Sequence, residues 1–224
     1  MKKNLALISL AGLVAGQAMA VDLDDDKKRF SYIVGMQIGQ QMKADNIDLD
    51  EVAFMAAIKD VSNGAKPQLS QADIQATLQR IQQERAVEAQ KAAESNRAEG
   101  ESFLADNAKK PKIKTLESGL QYKVVKAGTG AMPKATDTVE VHYRGTLING
   151  AEFDSSFSRG EPATFPVNGV IKGWQEALQL MKEGAKWQIF VPSDLAYGSR
   201  GAGAQIGPNA TLIFDVELLK IKNQ

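Results

Sequence analysis

The sequence predicts an α+β protein: an all-helical N-terminal half, then an antiparallel sheet with one short helix on it. Three observations carry this. Between Phe30 and Ile81 apolar residues recur at spacings of three and four, the period of an amphipathic helix. From Gln71 to Glu99 neither Gly nor Pro interrupts the chain. Beyond Gly119 the period falls to two, as in half-buried strands.

Composition narrows the chemistry. The 224 residues are 43% hydrophobic and 24% charged, globular usage that allows one or two domains with their own cores. Cysteine is absent, which excludes disulfides, thiolate nucleophiles and cysteine metal sites. His142 is the one histidine, so two-histidine metal motifs are excluded, and no G-x-S-x-G elbow is present to complete a triad with it. No cofactor and no metal is expected. Basic and acidic residues number 27 each; without Lys2 and Lys3 of the leader the balance is 25 against 27. That flat balance gives no electrostatic reason to expect nucleic acid as a partner.

Lys2 and Lys3, the apolar run Leu5–Ala15 and the small-x-small site Ala18-Met19-Ala20 read as a secretory signal peptide over residues 1–20. A buried N-terminal helix is the competing reading. The run is too short to span a membrane, and no other stretch approaches ~18 apolar residues. The expectation is an exported, most simply periplasmic protein, with outer-membrane association or secretion open. Asp22 to Lys28 reads as a solvated first helical turn, with acids near the N-terminus, rather than a metal site.

Residues 21–69 read as a helical dimerisation domain. Phe30, Ile33, Val34, Ile38 and Met42 form the stripe of a first helix, on which Gly35 and Gly39 suggest another backbone crossing closely. A second helix runs from about Asp50 to Ser62 on Val52, Met55 and Ile58, widened by Phe54 and ended by Asn63-Gly64. Two such short helices cannot bury both apolar faces alone. Phe30, Met36, Met42, Phe54 and Met55 make a self-association surface, a site for unfolded clients, or ordinary core.

Residues 70–115 read as a long spacer helix and linker. Ser70-Gln71-Ala72-Asp73 resembles a capping box with Asp at its last position. Ile74, Leu78 and Ile81 continue the stripe; from Gln82 to Gly100 the helix is polar all round, as in a solvent bridge between domains. Disorder of this second half is the competing reading. Lys109 to Lys114, with Pro111, is the linker.

In residues 116–224, Val139, Val141 and Tyr143 alternate with polar neighbours, as do Trp187, Ile189 and Val191, and Leu212, Phe214, Val216 and Leu218. Gly119 to Lys126 is another strand, Asn149-Gly150 a turn, and Trp174 to Met181 the one short helix, closed by Glu183-Gly184.

Five blocks now follow in order: Val141-His142-Tyr143-Arg144-Gly145, Phe153-Asp154-Ser155-Ser156, Val170-Ile171-Lys172-Gly173-Trp174, Ala196-Tyr197-Gly198, and Ala210 to Leu218. Together they resemble the FKBP-type peptidyl-prolyl cis–trans isomerases over about Leu116 to Ile221. The leader, the Gly35/Gly39 helix and the spacer are similar to the Mip/FkpA exported subgroup. The resemblance implies a five-stranded antiparallel sheet wrapped around one short helix, and V-shaped homodimers joined through the N-terminal helices. It implies isomerisation of proline-containing unfolded or partly folded polypeptides, chaperone activity, and inhibition by FK506/rapamycin-type macrolides. A chaperone without the rate, and a dimeric spacer for some other partner, are the alternatives.

Carried over by the same resemblance, Trp174 is the pocket floor, and Tyr143, Phe153, Val170, Ile171, Ile206 and Phe214 are walls. The Ile171 N–H and the Tyr197 hydroxyl hold substrate carbonyls. Asp154 sits at the rim, paired with Arg159. Some positions depart from the pattern. A family aromatic is Ala163 here, with Phe165 expected on the other strand face; a frequent His is Ala202, and a Pro-Pro pair is Gly207-Pro208. These departures bear on macrolide affinity and on preference for the residue before proline. The glycine spacing of the 201–207 loop misses that of a nucleotide cradle, and the loop is read as a mobile flap. His142, on a polar strand face, reads as structural.

Overall fold

The computed structural model describes residues 21–45 and 47–222, so the leader lies outside the described residues. The chain divides into two compact units after Ile47.

The first unit carries helix α1, Asp26–Ala44. Asp25 caps it by accepting from the Lys28 N–H at 2.8 Å, and Asp26 and Lys43 complement the helix dipole at either end. The charge cluster is a solvated turn, with Lys28 Nζ 2.6 Å from Asp24 and 3.2 Å from Asp22. Among the described residues no cluster of acids and histidine could hold a metal. No residue of α1 is buried: Phe30, Tyr32, Ile33 and Met36 are all exposed.

The second unit begins with α2, Glu51–Ser62, capped by Asp50 and closed by Asn63 before Gly64, whose φ of +66° suits only glycine comfortably. Helix α3, Gln71–Ala108, has 38 residues, about 57 Å at ~1.5 Å each. Its capping box is complete: Ser70 Oγ accepts from the Asp73 N–H at 3.1 Å, and Asp73 returns the contact to the Ser70 N–H at 3.3 Å.

The second half of α3 is continuous helix: residues 81–92 are exposed, and only its C-terminal part docks on the sheet domain. Gly100 and Asn107 are buried against the sheet domain. A Cβ at Gly100 would lie 2.4 Å from Thr211 Oγ1. Asn107 Nδ2 donates to Gln121 Oε1 at 2.9 Å, and Gln121 Nε2 donates to the Leu104 carbonyl at 2.8 Å. These contacts use glycine and amide side chains, which a hydrophobic stripe does not register.

Seven antiparallel strands follow: β1 Ile113–Thr115, β2 Gln121–Lys126, β3 Thr138–Leu147, β4 Glu152–Ser155, β5 Ala163–Pro166, β6 Lys186–Val191 and β7 Leu212–Lys222. The order is β1-β2-β6-β7-β3-β4, with β5 also on β3. β4 pairs with Arg144 to Thr146 and β5 with Thr138 to Val141, so both segments share one edge of β3. The body therefore has five strand positions, extended by the three-residue β1.

Helix α5, Lys172–Leu180, starts two residues before the expected Trp174 and packs Trp174, Ala177 and Leu178 into the core. Inward residues of β3, β6 and β7 face it, including Val141, Ile189 and Val216. Each fully buried aliphatic side chain contributes about 1.5–3 kcal/mol. A Cβ at Gly173 would stand 2.6 Å from Val191, so glycine sets how closely helix and sheet approach. α5 is not the one helix of this half: α4, Ser156–Arg159, is a single turn between β4 and β5, ended by Gly160 at φ +78°. Four residues are too few to show a helical period.

Candidate active site

A cavity of about 310 Å³ opens between α5, the inner faces of β3 and β7, and the loops around them. Trp174 is central, because α5 aims it across the sheet. Tyr143 and Phe214 each meet its indole edge-on, with centroids 5.3 Å away, and Phe165 does so at 6.1 Å. Edge-to-face contact suits the ring quadrupoles and stiffens the walls. Gly169, Val170, Ile171, Tyr197 and Asp154 complete the lining.

The rim is polar. The Tyr143 hydroxyl donates to Asp154 Oδ2 in a short hydrogen bond. Arg159 reaches both groups, Nη1 to Asp154 Oδ1 at 2.5 Å and Nη2 to the Tyr143 oxygen at 2.9 Å. The single turn of α4 provides the reach, since it returns Arg159 beside the end of β4. Burial alone would raise the Asp154 pKa. The Tyr143 hydroxyl and Arg159 guanidinium outweigh it and hold the carboxyl below its ordinary value. Burial pushes the Tyr143 phenol up, helped by its bond to Asp154. Burial also raises Tyr197, with the Asp154 charge adding to it. Both phenols therefore stay protonated donors at neutral pH.

Of the expected residues, Tyr143, Asp154, Val170, Ile171, Trp174, Tyr197 and Phe214 meet around the cavity. Arg159 touches it through Asp154 and Tyr143. Phe153 does not line the cavity and packs edge-on against Phe214 at 5.6 Å. Ile206 is buried in the core, and its backbone bridges Ala202 in both directions, at 2.8 and 3.1 Å. Phe165 corrects an expectation: it lines the cavity on the same face as Ala163. Residues two apart in a strand share a face, so the ring serves two residues along β5 from Ala163. His142 lies outside the site, its Nδ1 3.0 Å from Ser156 Oγ and its ring stacked on Phe157 at 4.7 Å.

Residues 198–209 follow Tyr197 and are tied to α3. A Cβ at Gly201 would fall 2.2 Å from the Ile206 carbonyl, and its φ is +66°. Asn96 of α3 donates to the Pro208 carbonyl at 2.8 Å, and Asn209 donates back to the Ala93 carbonyl at 3.3 Å. Neither the asparagine clamp nor Phe165 was found from sequence.

Another cavity, of about 370 Å³, lies where α2 meets the start of α3, lined by Ala57, Val61, Leu69 and Ile74. Asp60 is its single charge, and it has no ring of aromatics or aimed donors.

Comparison with known proteins gives the arrangement its context. Residues 129–219 match the family described as FKBP-type peptidyl-prolyl cis-trans isomerase, and residues 27–124 the domain amino terminal to it. The chain is 44% identical to the outer membrane protein MIP of Legionella longbeachae, covering 99% of each. It is 46% identical to the FKBP-type 22 kDa peptidyl-prolyl cis-trans isomerase of Escherichia coli K12, over 88% of this chain and 97% of that one. The crystal structure of FkpA from Escherichia coli aligns at a TM-score of 0.63 and 40% identity, over 89% of this chain and 98% of that one. With an aromatic cavity on an α+β frame and these relatives along its whole length, the chain belongs to the FKBP-type peptidyl-prolyl cis–trans isomerases.

Proposed function

We propose that this isomerase accelerates the folding of exported proteins, as a periplasmic homodimer with chaperone activity, by binding the twisted X–Pro amide in the cavity around Trp174. The X–Pro bond is resonance-stiffened, with a barrier of ~18–20 kcal/mol and uncatalysed times of tens to hundreds of seconds. No nucleophile is needed. The twisted amide has less C–N double-bond character and less charge separation than either planar isomer. An apolar site therefore penalises the planar ground state more than the transition state. The ring box around Trp174 supports this reading more than any other observation.

The prolyl ring sits on the indole between Tyr143, Phe165 and Phe214. The Ile171 N–H and the Tyr197 hydroxyl hold the flanking carbonyls, and Asp154, kept ionised by Arg159 and Tyr143, faces the prolyl carbonyl. FK506-type macrolides compete for the same box. The assay is the cis–trans exchange rate of a short X–Pro peptide with protein from Val21 onward, with and without such a macrolide. Exchange no faster than the uncatalysed rate from folded protein would end this reading.

The dimer is supported by the exposed apolar side chains of the first two helices, among them Phe30, Ile33, Met36, Val52 and Met55. Isolated apolar residues on a surface are ordinary, but a helix with none buried needs a partner for its stripe. Sedimentation of the protein against Met36→Glu tests it: the variant should run at half the mass. Export is supported by the leader-like residues 1–20 and by relatives of the Mip and FkpA type. Among the described residues no helix is long and apolar enough to cross a membrane.

A further inference from the structure

We propose that Gln175 is a positioning residue for this reaction: it orients and polarises the peptide group whose Ile171 N–H receives the substrate carbonyl. The inference rests on the reading of Ile171 as that donor.

Gln175 lies on α5, beside Trp174, and does not line the cavity. Its Nε2 donates to the Val170 carbonyl at 2.7 Å and, more weakly, to the Asn168 carbonyl at 3.4 Å. The Val170 carbonyl and the Ile171 N–H are two ends of one planar, resonant group. A donor on the oxygen draws charge across the C–N bond and makes the N–H a better donor. Such relays strengthen each bond by about 10–30%. The Gln175 backbone N–H also donates to the Ile171 carbonyl, at 3.0 Å. The Gln175 side chain thus holds the carbonyl before Ile171, while the backbone N–H groups of Trp174 and Gln175 hold the one after it, at 2.9 and 3.0 Å.

The brace answers a local need. Ile171 joins the 3₁₀ turn Val167–Gly169 to α5, with φ −59° and ψ 151° and no side-chain cap. No strand ladder sets the direction of its N–H. A donor aimed at a reacting amide must be held before substrate arrives, or its reorientation weakens the site. Gln supplies the length to reach the carbonyl and an N–H to place there. Glu has the length, but an ionised carboxylate has no proton to donate to it.

The test uses Gln175→Met and Gln175→Glu, both of similar length and good helix formers, in the full-length protein. Peptide exchange kinetics should show kcat/KM lowered about two- to tenfold: lost polarisation alone gives up to about twofold, and loss of the donor's orientation as much as one ordinary hydrogen bond. The loss should fall mainly in KM, because the carbonyl is held in ground and transition states alike. The Ile171 amide proton should move upfield in both variants, a shift that mere loosening of α5 would not produce selectively.

Ile171→Pro separates the proposal from the reading beneath it. The native φ of −59° and the extended Val170 before it (φ −99°, ψ 173°) both accommodate proline, and the N–H is deleted. Full activity in Ile171→Pro overturns the donor reading and the proposal with it. A loss in Ile171→Pro, with wild-type kinetics in both Gln175 variants, leaves the donor and overturns the brace. Support requires that Gln175→Met cost nothing further in an Ile171→Pro background; additive losses would overturn it.

Discussion

The Tyr143 hydroxyl donates directly to Asp154, joining the wall of the cavity to its rim through one hydrogen bond. Arg159 closes the third side of the arrangement, 2.9 Å from the same hydroxyl oxygen. The wall ring and the rim charge are therefore held by one triangle of groups.

Tyr143→Phe keeps the ring against Trp174 and removes only the hydroxyl. Asp154 then keeps Arg159 but loses a charge-assisted bond, which costs about 1–3 kcal/mol of stability. The Asp154 carboxyl should titrate higher than in the parent, and kcat/KM should fall. Carboxyl titration by NMR and chemical denaturation check both.

Asp154→Asn should change the acid limb of stability. The folded Asp154 pKa lies below its ordinary 3.8, so its contribution is present above the unfolded value and is lost as pH falls through the folded one. The parent should exceed the variant by most above about pH 4, with the gap closing at lower pH. Urea unfolding along a pH series measures it. A gap that widens in acid would contradict the assigned direction.

On the alkaline side, burial raises both Tyr143 and Tyr197 above the ordinary phenol value of 10.0. Activity should therefore stay level from about pH 7 to about pH 9. Tyr197→Phe should lower kcat/KM at every pH in that range, by the two- to tenfold that about 0.5–1.5 kcal/mol represents.

Gly145→Ala tests the back of the wall. A Cβ there would lie 2.6 Å from the Phe153 ring and 2.8 Å from Phe214. Both rings must shift, at about 1–3 kcal/mol. Because Phe214 lines the cavity, peptide kinetics should worsen along with the melting temperature.

Asn96→Ala and Asn209→Gly each remove half of the clamp between α3 and the 198–209 segment. Asn209 has φ +56°, so glycine deletes its side chain without backbone strain. Each should cost about 0.5–1.5 kcal/mol. Amide exchange across Gly198–Asn209 should quicken more than exchange in β3 or β7.

Much of this was legible in one dimension. The period-two alternation marked β3, β6 and β7, and their inward residues form the core. The capping box located the start of α3 to the residue. Motif order brought seven lining residues together before any coordinates. Phe153 and Ile206 pack next to Phe214 and Ala202 without lining the cavity, a distinction a motif does not carry, because it records that an aromatic or aliphatic residue is required and not its contacts.

What the sequence by itself determined was the class of fold and the ends of the long helix, products of local period and local chemistry; the aromatic residues of the site were implied by the order of the family's motifs. Only the tertiary structure decided that Phe165 joins the box, that the polar half of α3 docks through Gly100 and Asn107, and that Gln175 braces the Val170 carbonyl. Each of these depends on where a small or amide side chain meets a surface brought to it by the fold. Hydrophobic burial is roughly proportional to area and leaves a periodic trace in the chain. A hydrogen bond or a close approach depends on distance and angle to one partner, and leaves none.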